Sequence, residues 1–254
     1  MRLAIVSDIH ANLEALAVVM DDIRARGLEN DIVCLGDVIG YGPDPNACLD
    51  IAIDSFRWCL MGNHEEAVLY GAVGFNPKAK MAIDWTRDQL NDASQPAEMR
   101  NRRWKFLGEL RLTAEEQGLE FAHGSPRDPV REYVFPTDVL DHDKLESIFQ
   151  HVGRVCFVGH THLPGVIAAS GRFTPPRGDG FSIKLPPPDG EKLLINVGSV
   201  GQPRDGDYRA CYVVVEDDTV TWHRLDYDVE RTVEKIRAVD RLPGYLASRL
   251  REGR

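Results

Sequence analysis

Leu3-Ala4-Ile5-Val6-Ser7-Asp8-Ile9-His10-Ala11-Asn12 sets the frame of the chain: a short apolar run ends directly in a carboxylate and an imidazole. Four apolar residues in a row read as a buried strand. From Asn12 the period changes. Leu13, Leu16, Ala17, Met20 and Ile23 fall on one helical face, Asn12 stands where an N-cap belongs, and Gly27 stands where the chain leaves the helix. A second strand pattern, Asp31 to Leu35, follows, so the first unit is β-α-β.

Working outward, strand patterns recur at Arg57 to Met61, Leu119 to Ala122, Val155 to Val158, Lys192 to Val197, Ala210 to Val215 and Thr219 to Leu225. Helical patterns cover Pro43 to Ala52, Asp138 to His151 and Val229 to Val239. Gly71 to Leu112 shows no strand pattern and two helix-like runs, around Lys78 to Leu90 and Ala97 to Leu110, and is predicted as a helical insert. Arg172 to Gly190 is rich in Pro and Gly around Phe181 to Leu185 and is predicted as an exposed hairpin or loop. With 254 residues, 43% of them hydrophobic, the chain is expected to fold as a single domain spanning 1–254 with that insert at about 71–112.

A formal charge of −10 disfavours a whole-surface attraction to nucleic acid or an anionic membrane. The leading apolar run is too short for a signal segment or a spanning helix, so a soluble, cytoplasmic protein without membrane partners is expected. The five cysteines have no C-x-x-C spacing, and four lie in strand-like runs, where a thiol acts as a small core hydrophobe.

Five strand-like runs end in groups able to bind metal: Asp8-Ile9-His10, Gly36-Asp37, Gly62-Asn63-His64-Glu65, His123-Gly124 and Gly159-His160-Thr161-His162. Chance supplies a D-x-H about 0.8 times in such a chain, and a G-H-x-H only about 0.02 times, so the last motif is the informative one. Five of the eight histidines occupy strand exits, where the loops of an open α/β sheet converge. His142, His151 and His223 do not. Asp8, His10, Asp37, Asn63, His123, His160 and His162 are seven oxygen and nitrogen donors, more than one ion uses. They suit two ions about 3.5 to 4 Å apart sharing a carboxylate. No cysteine joins them, and the mixture fits manganese, iron or zinc better than calcium. A dinucleotide site is excluded, because the first strand is followed by D-I-H-A-N without the glycines that let a pyrophosphate approach.

D-x-H, G-D, G-N-H-E, H and G-H-x-H in this order resemble the calcineurin-like metallophosphoesterase superfamily. Gly36 to Pro45, His123 to Asp128 and Asn196 to Arg204 further resemble a bacterial branch of small phosphoesterases and phosphodiesterases. The resemblance implies an α/β fold, a four-layer αββα sandwich. It implies that Asp8, His10 and His162 hold one transition-metal ion and Asn63, His123 and His160 the other, in divalent or mixed-valence states, with Asp37 between them. It also implies a catalytic His64 beside the phosphoryl group or leaving oxygen.

Asn12, Tyr41, Arg127 and Arg204 are candidate substrate-binding residues, Asn12 by orienting His64 or phosphate and the two arginines through their forked donors. The expected activity is hydrolysis of a small phosphomonoester or phosphodiester, nucleotides included. The rival readings are a protein serine/threonine phosphatase, a DNA nuclease and a non-catalytic scaffold. After Gly36-Asp37 comes the uncharged Val38-Ile39-Gly40-Tyr41-Gly42, unlike the charged stretch of the protein phosphatases. Arg100, Arg102, Arg103 and Lys105 of the insert, if turned inward, would favour an anionic leaving group.

Overall fold

The computed structural model describes residues 2–254. Strand β1 (Arg2–Val6) shows why two sheets form. Its side chains alternate: Leu3 and Ile5 enter a core between the sheets, while Ala4 and Val6 enter a second core under helices. A strand that buries both faces needs cover on both.

The first sheet runs β3-β2-β1-β11-β12-β9, with β2 (Ile32–Cys34), β3 (Trp58–Cys59), β9 (Phe181–Lys184), β11 (Ala210–Glu216) and β12 (Thr219–Leu225). The second runs β4-β5-β6-β10-β7-β8, with β4 (Thr113–Glu116), β5 (Leu119–Ala122), β6 (Val155–Val158), β7 (Gly165–Ala168), β8 (Arg172–Thr174) and β10 (Leu193–Asn196). Leu35, Leu60, Phe121, Phe157, Ile195 and Trp222 fill the space between them. Helices α1 (Leu13–Ala25) and α2 (Pro45–Ser55) cover the outside of the first sheet. Helix α6 (His142–Phe149) covers the second. The result is the αββα sandwich.

Trp222 is fully buried and donates its indole N–H to the carbonyl of Asn196 at 3.0 Å, so it pins one sheet to the other. Trp222→Ala is expected to cost about 3–5 kcal/mol, read as a lowered urea midpoint.

The chain between residues 71 and 112 holds α4 (Pro77–Leu90) and α5 (Ala97–Gly108) and no strand, as predicted. It rejoins the sheet where Met61 N–H donates to the Arg111 carbonyl at 2.7 Å. Two further helices, α7 (Val229–Arg237) and α8 (Tyr245–Glu252), pack on α4 through Ala82 and Trp85. The remaining helix, α3 (Asn63–Tyr70), starts within the metal motif.

Several elements differ from the sequence reading. β4 is a half-exposed edge strand of Thr-Ala-Glu-Glu with no apolar alternation to reveal it. β7 is four buried residues, too short for a period to show. The expected exposed hairpin splits instead: β8 closes one sheet, and β9 pairs with β12 at the edge of the other. The single helix predicted over Asp138 to His151 is a 3-10 turn, Pro136–Leu140, followed by α6. Asp141 breaks the run by accepting from Lys144 N–H at 3.0 Å as the cap of α6. The five cysteines are free and buried. Among the described residues no helix is long and apolar enough to cross a membrane.

Candidate metal centre

The loops leaving β1, β2, β3, β5 and β6 meet at one end of the sandwich. Of the non-glycine residues with positive φ, Asp8, His10, Ala11, Asp37, Tyr41, His160 and His162 all lie here, with φ between 50° and 64°. Each left-handed residue costs energy that a packed surround must hold, and such cost gathers at sites. It turns the side chains at the strand ends in toward a common point. Two glycines make room. A Cβ on Gly62 would sit 2.1 Å from Asp37 Oδ1, and one on Gly159 would sit 2.6 Å from Asp8 Oδ2.

Asp8, His10 and His162 form one buried group with donor atoms mutually within 4.8 Å, and Asp37, His123 and His160 form another. Asp37 lies between the two: its Oδ2 is 3.7 Å from His10 Nε2 and 3.4 Å from His123 Nε2. Asn63 Oδ1 reaches His123 Nε2 at 3.2 Å. His10, Asp37 and His64 also fall within the same reach of one another. All seven predicted donors and His64 are therefore brought together.

Hydrogen bonds around the imidazoles show what the cluster is built to accept. His10 Nδ1 is 3.2 Å from the Ile39 carbonyl, His123 Nδ1 3.1 Å from that of Leu35, and His162 Nδ1 2.6 Å from that of Gln202. A carbonyl only accepts, so each ring carries its proton on Nδ1 and presents the bare Nε2 lone pair inward. His160 is turned the other way, with Nε2 on the Arg131 carbonyl at 3.2 Å and Nδ1 inward.

The inward atoms then face one another: His10 Nε2 and His162 Nε2 are 3.1 Å apart, and His123 Nε2 and His160 Nδ1 are 3.0 Å apart. Lone pairs at that distance repel unless positive charge lies between them. Asp8 Oδ1 adds a buried oxygen without a hydrogen-bond donor, 3.2 Å from His162 Nε2. Burial opposes its charge, but His162 beside it holds the Asp8 carboxyl well below the usual carboxylate range. Burial also opposes a cationic His123, yet Asp37 overcomes it and lifts that imidazole to about 9, so a proton on Nε2 takes the place of a cation there and leaves the lone pair to a metal ion when one binds. The residues present fit two cations sharing Asp37.

His64 is buried, and its ring meets Tyr41, His10 and Phe75 at 4.3, 4.7 and 5.3 Å between centroids. Burial pushes its imidazole down to about 4 against the pull of Asp37, so at neutral pH the ring is neutral and offers one N–H. Its main-chain N–H donates to Asp37 Oδ1 at 2.9 Å.

The candidate substrate-binding residues divide. Arg204 stays at the centre: its main-chain N–H donates to the His162 carbonyl at 3.3 Å, and its Nη2 donates to Gln202 Oε1 at 2.9 Å. Tyr41 covers His10 and His64. Asn12 is occupied elsewhere. Its Oδ1 caps α1 through Ala15 N–H at 3.2 Å and accepts from Thr232, while its Nδ2 donates to the Gly201 carbonyl at 2.8 Å, so it neither holds His64 nor has a donor to spare for phosphate. Arg127 is exposed and committed to Glu132 and Ser147. The basic residues of the insert also turn away: Arg102 and Arg103 pair with Asp54 and Asp50 of α2, Arg100 donates to main-chain carbonyls of Asp92 and Gln95, and Lys105 lies near Glu109. The start of the insert, through Gly71, Val73, Phe75, Asn76 and Ala79, is what walls a cavity of about 250 Å³ beside Asn63 and His160.

Three supports were invisible as such in the sequence. Glu65 does not simply face the dipole of α3. Its carboxylate turns back to accept from Asp37, Gly62 and Ile39 N–H at 2.8, 3.0 and 3.2 Å, stitching two metal loops together, and burial lifts it to about 7. Ser199 Oγ donates to the Asp8 carbonyl at 2.8 Å. Tyr133 stacks on His160 at 3.7 Å. The run Asn196 to Arg204 and the N3 position of α3 were the available signals for the first two.

Residues 1–219 match the model of the calcineurin-like phosphoesterase superfamily domain, and the chain belongs to that superfamily, whose members are metal-dependent phosphoesterase hydrolases. The chain is 37% identical to the uncharacterized protein MJ0912 of Methanocaldococcus jannaschii, over 99% of this chain and 98% of that protein. It is 35% identical to a metallophosphoesterase from Sphaerobacter thermophilus, whose crystal structure superposes with a TM-score of 0.81 and full coverage of both chains. The hypothetical protein PH1004 of Pyrococcus horikoshii, at 16% identity and a TM-score of 0.75 over 100% of this chain and 98% of that one, shares the fold.

Proposed function

We propose that the protein is a cytoplasmic, binuclear metal-dependent phosphoesterase that hydrolyses small phosphodiesters or phosphomonoesters, nucleotides among them. The observation that carries this reading is the pair of inward-facing lone-pair clusters that share Asp37. Asp8, His10 and His162 would hold one ion, Asn63, His123 and His160 the other, and Asp37 both. Manganese, iron and zinc suit this oxygen and nitrogen set. When bound, two such ions supply an activated water and neutralise charge on the phosphoryl group.

The chain's own residues do the rest. The carbonyls of Ile39, Leu35 and Gln202 fix three tautomers, so no reorganisation is needed as a substrate arrives. His64 directs a ring N–H toward the phosphoryl or leaving oxygen. Arg204 has a buried Nε without a partner, a donor suited to an anionic group of the substrate. The cavity of about 250 Å³ bounded by Phe75 and Tyr133 suits a small organic group better than a folded protein segment, which favours a small ester over a protein phosphatase substrate. Retention of His64 with the full donor set speaks against a mere scaffold, and the charge of −10 against a DNA nuclease.

The test is reconstitution with manganese, followed by metal analysis and assay on p-nitrophenyl phosphate and bis-p-nitrophenyl phosphate. Two ions per chain and loss of hydrolysis in chelator are expected. One ion at saturation, or full activity in chelator, would overturn the binuclear reading.

A further inference from the structure

In a chain with ten more acidic than basic residues, a cation readily finds a carboxylate, and Arg103, Arg127, Arg131, Arg224 and Lys235 all do. Arg204, Arg249 and Lys78 are among the cations that, within the described residues, pair with no Asp or Glu side chain, and Arg249 gives its Nε to the main-chain oxygen of Arg254. They are also gathered in one place. Lys78 Nζ lies 4.8 Å from the centroid of the Tyr245 ring, and the Arg249 guanidinium carbon lies 5.9 Å from the same ring. Tyr245 and Tyr41 pack into one apolar cluster under α8. Gln202, which accepts from Arg204, lines a narrow crevice with Tyr41, Leu246 and Leu250, and His10 lies at its inner end. Arg204, through Gln202, and Arg249, between Leu246 and Leu250 on α8, thus border the crevice beside Tyr41 and His10, with Lys78 at the Tyr245 ring next to it. The larger cavity, of mixed polar and apolar lining, lies against Asn63 and His160.

Like charges held near one another raise each other's energy until an anion joins them. Arg249 shows the cost: burial, and then Arg204, push its guanidinium below its ordinary value. The forked donors of two arginines and the mobile ammonium of a lysine form a set suited to phosphate.

We infer that Arg204, Arg249 and Lys78 form a second anion subsite, which takes a phosphate group of the substrate other than the one hydrolysed. The inference rests on the phosphoesterase reading and narrows it: the preferred ester carries an organic group on the cavity side and a further phosphate on the α8 side, as a nucleoside bisphosphate derivative does.

The test compares two esters that release the same p-nitrophenolate, thymidine 5′-(p-nitrophenyl phosphate) with and without a 3′-phosphate. The manganese-loaded wild type should show a KM lower by about tenfold for the 3′-phosphorylated ester, the effect of one good charge-assisted contact. In the Lys78→Gln/Arg249→Gln double variant that ratio should fall toward one. The charge-matched Arg177→Gln/Lys192→Gln variant, with Lys192 on the side of the second sheet, should keep it. Lys78→Glu, at an exposed helix position that cannot unfold the core, should lower the ratio on its own. No preference in the wild type, or the same preference in the subsite variants, would overturn the subsite. Failure to hydrolyse either ester would count against the phosphoesterase reading instead. Calorimetric titration with thymidine 3′,5′-bisphosphate and thymidine 5′-monophosphate then decides the subsite independently: tighter bisphosphate binding that the subsite variants lose supports it, and equal affinities overturn it.

Discussion

Asp37→Asn should remove both metal ions together and lower hydrolysis by on the order of 10³-fold or more. The expectation follows from position. Asp37 Oδ2 stands 3.7 Å from His10 Nε2 and 3.4 Å from His123 Nε2, so a single oxygen lies within reach of both groups of donors. Its Oδ1 accepts the main-chain N–H of His64, and its own N–H donates to Glu65, so the carboxylate is held from both ends. An amide keeps the shape and one acceptor oxygen but loses the negative charge, and its NH₂ cannot face a cation. Metal analysis of the variant checks this directly. Loss of one ion with retention of the other would show that Asp37 belongs to one half only.

The gathering of the candidate donors was legible in the sequence because it is local: each lies within about four residues of a strand end, and G-H-x-H places two of them on one turn. The sandwich was legible for a related reason, since β1, β2, β6, β10, β11 and β12 bury apolar runs that short-range pattern detects. What escaped was set by distant partners. β4, β8 and β9 are edge strands whose half-exposed residues carry little pattern, and their pairing is decided by the neighbours they meet. Arg127 and Arg204 looked alike as arginines following a motif. Glu132, five residues further on, draws the first to the surface, while Gln202 holds the second at the centre. Arg249 and Lys78 sit far apart in the chain and come together only because α4 and α8 pack on each other.

His64→Ala should reduce kcat by about 10²–10⁴-fold while leaving two ions bound. The residue lies among possible ligands, since His10, Asp37 and His64 fall within reach of one another, so metal content is the decisive measurement. Two features count against its side chain as a ligand. The link from position 64 to Asp37 is a main-chain N–H, which alanine retains. The ring itself is packed against Tyr41 and Phe75, with Nδ1 pressed toward Gly40, where a Cβ would lie 2.0 Å away. Because burial keeps the imidazole neutral, its contribution is one oriented N–H rather than a full cation. His64→Gln, which also carries an N–H, should then recover part of the lost rate with KM near that of the alanine variant. Loss of an ion in His64→Ala would make His64 a ligand, and no recovery in His64→Gln would remove the hydrogen-bonding role.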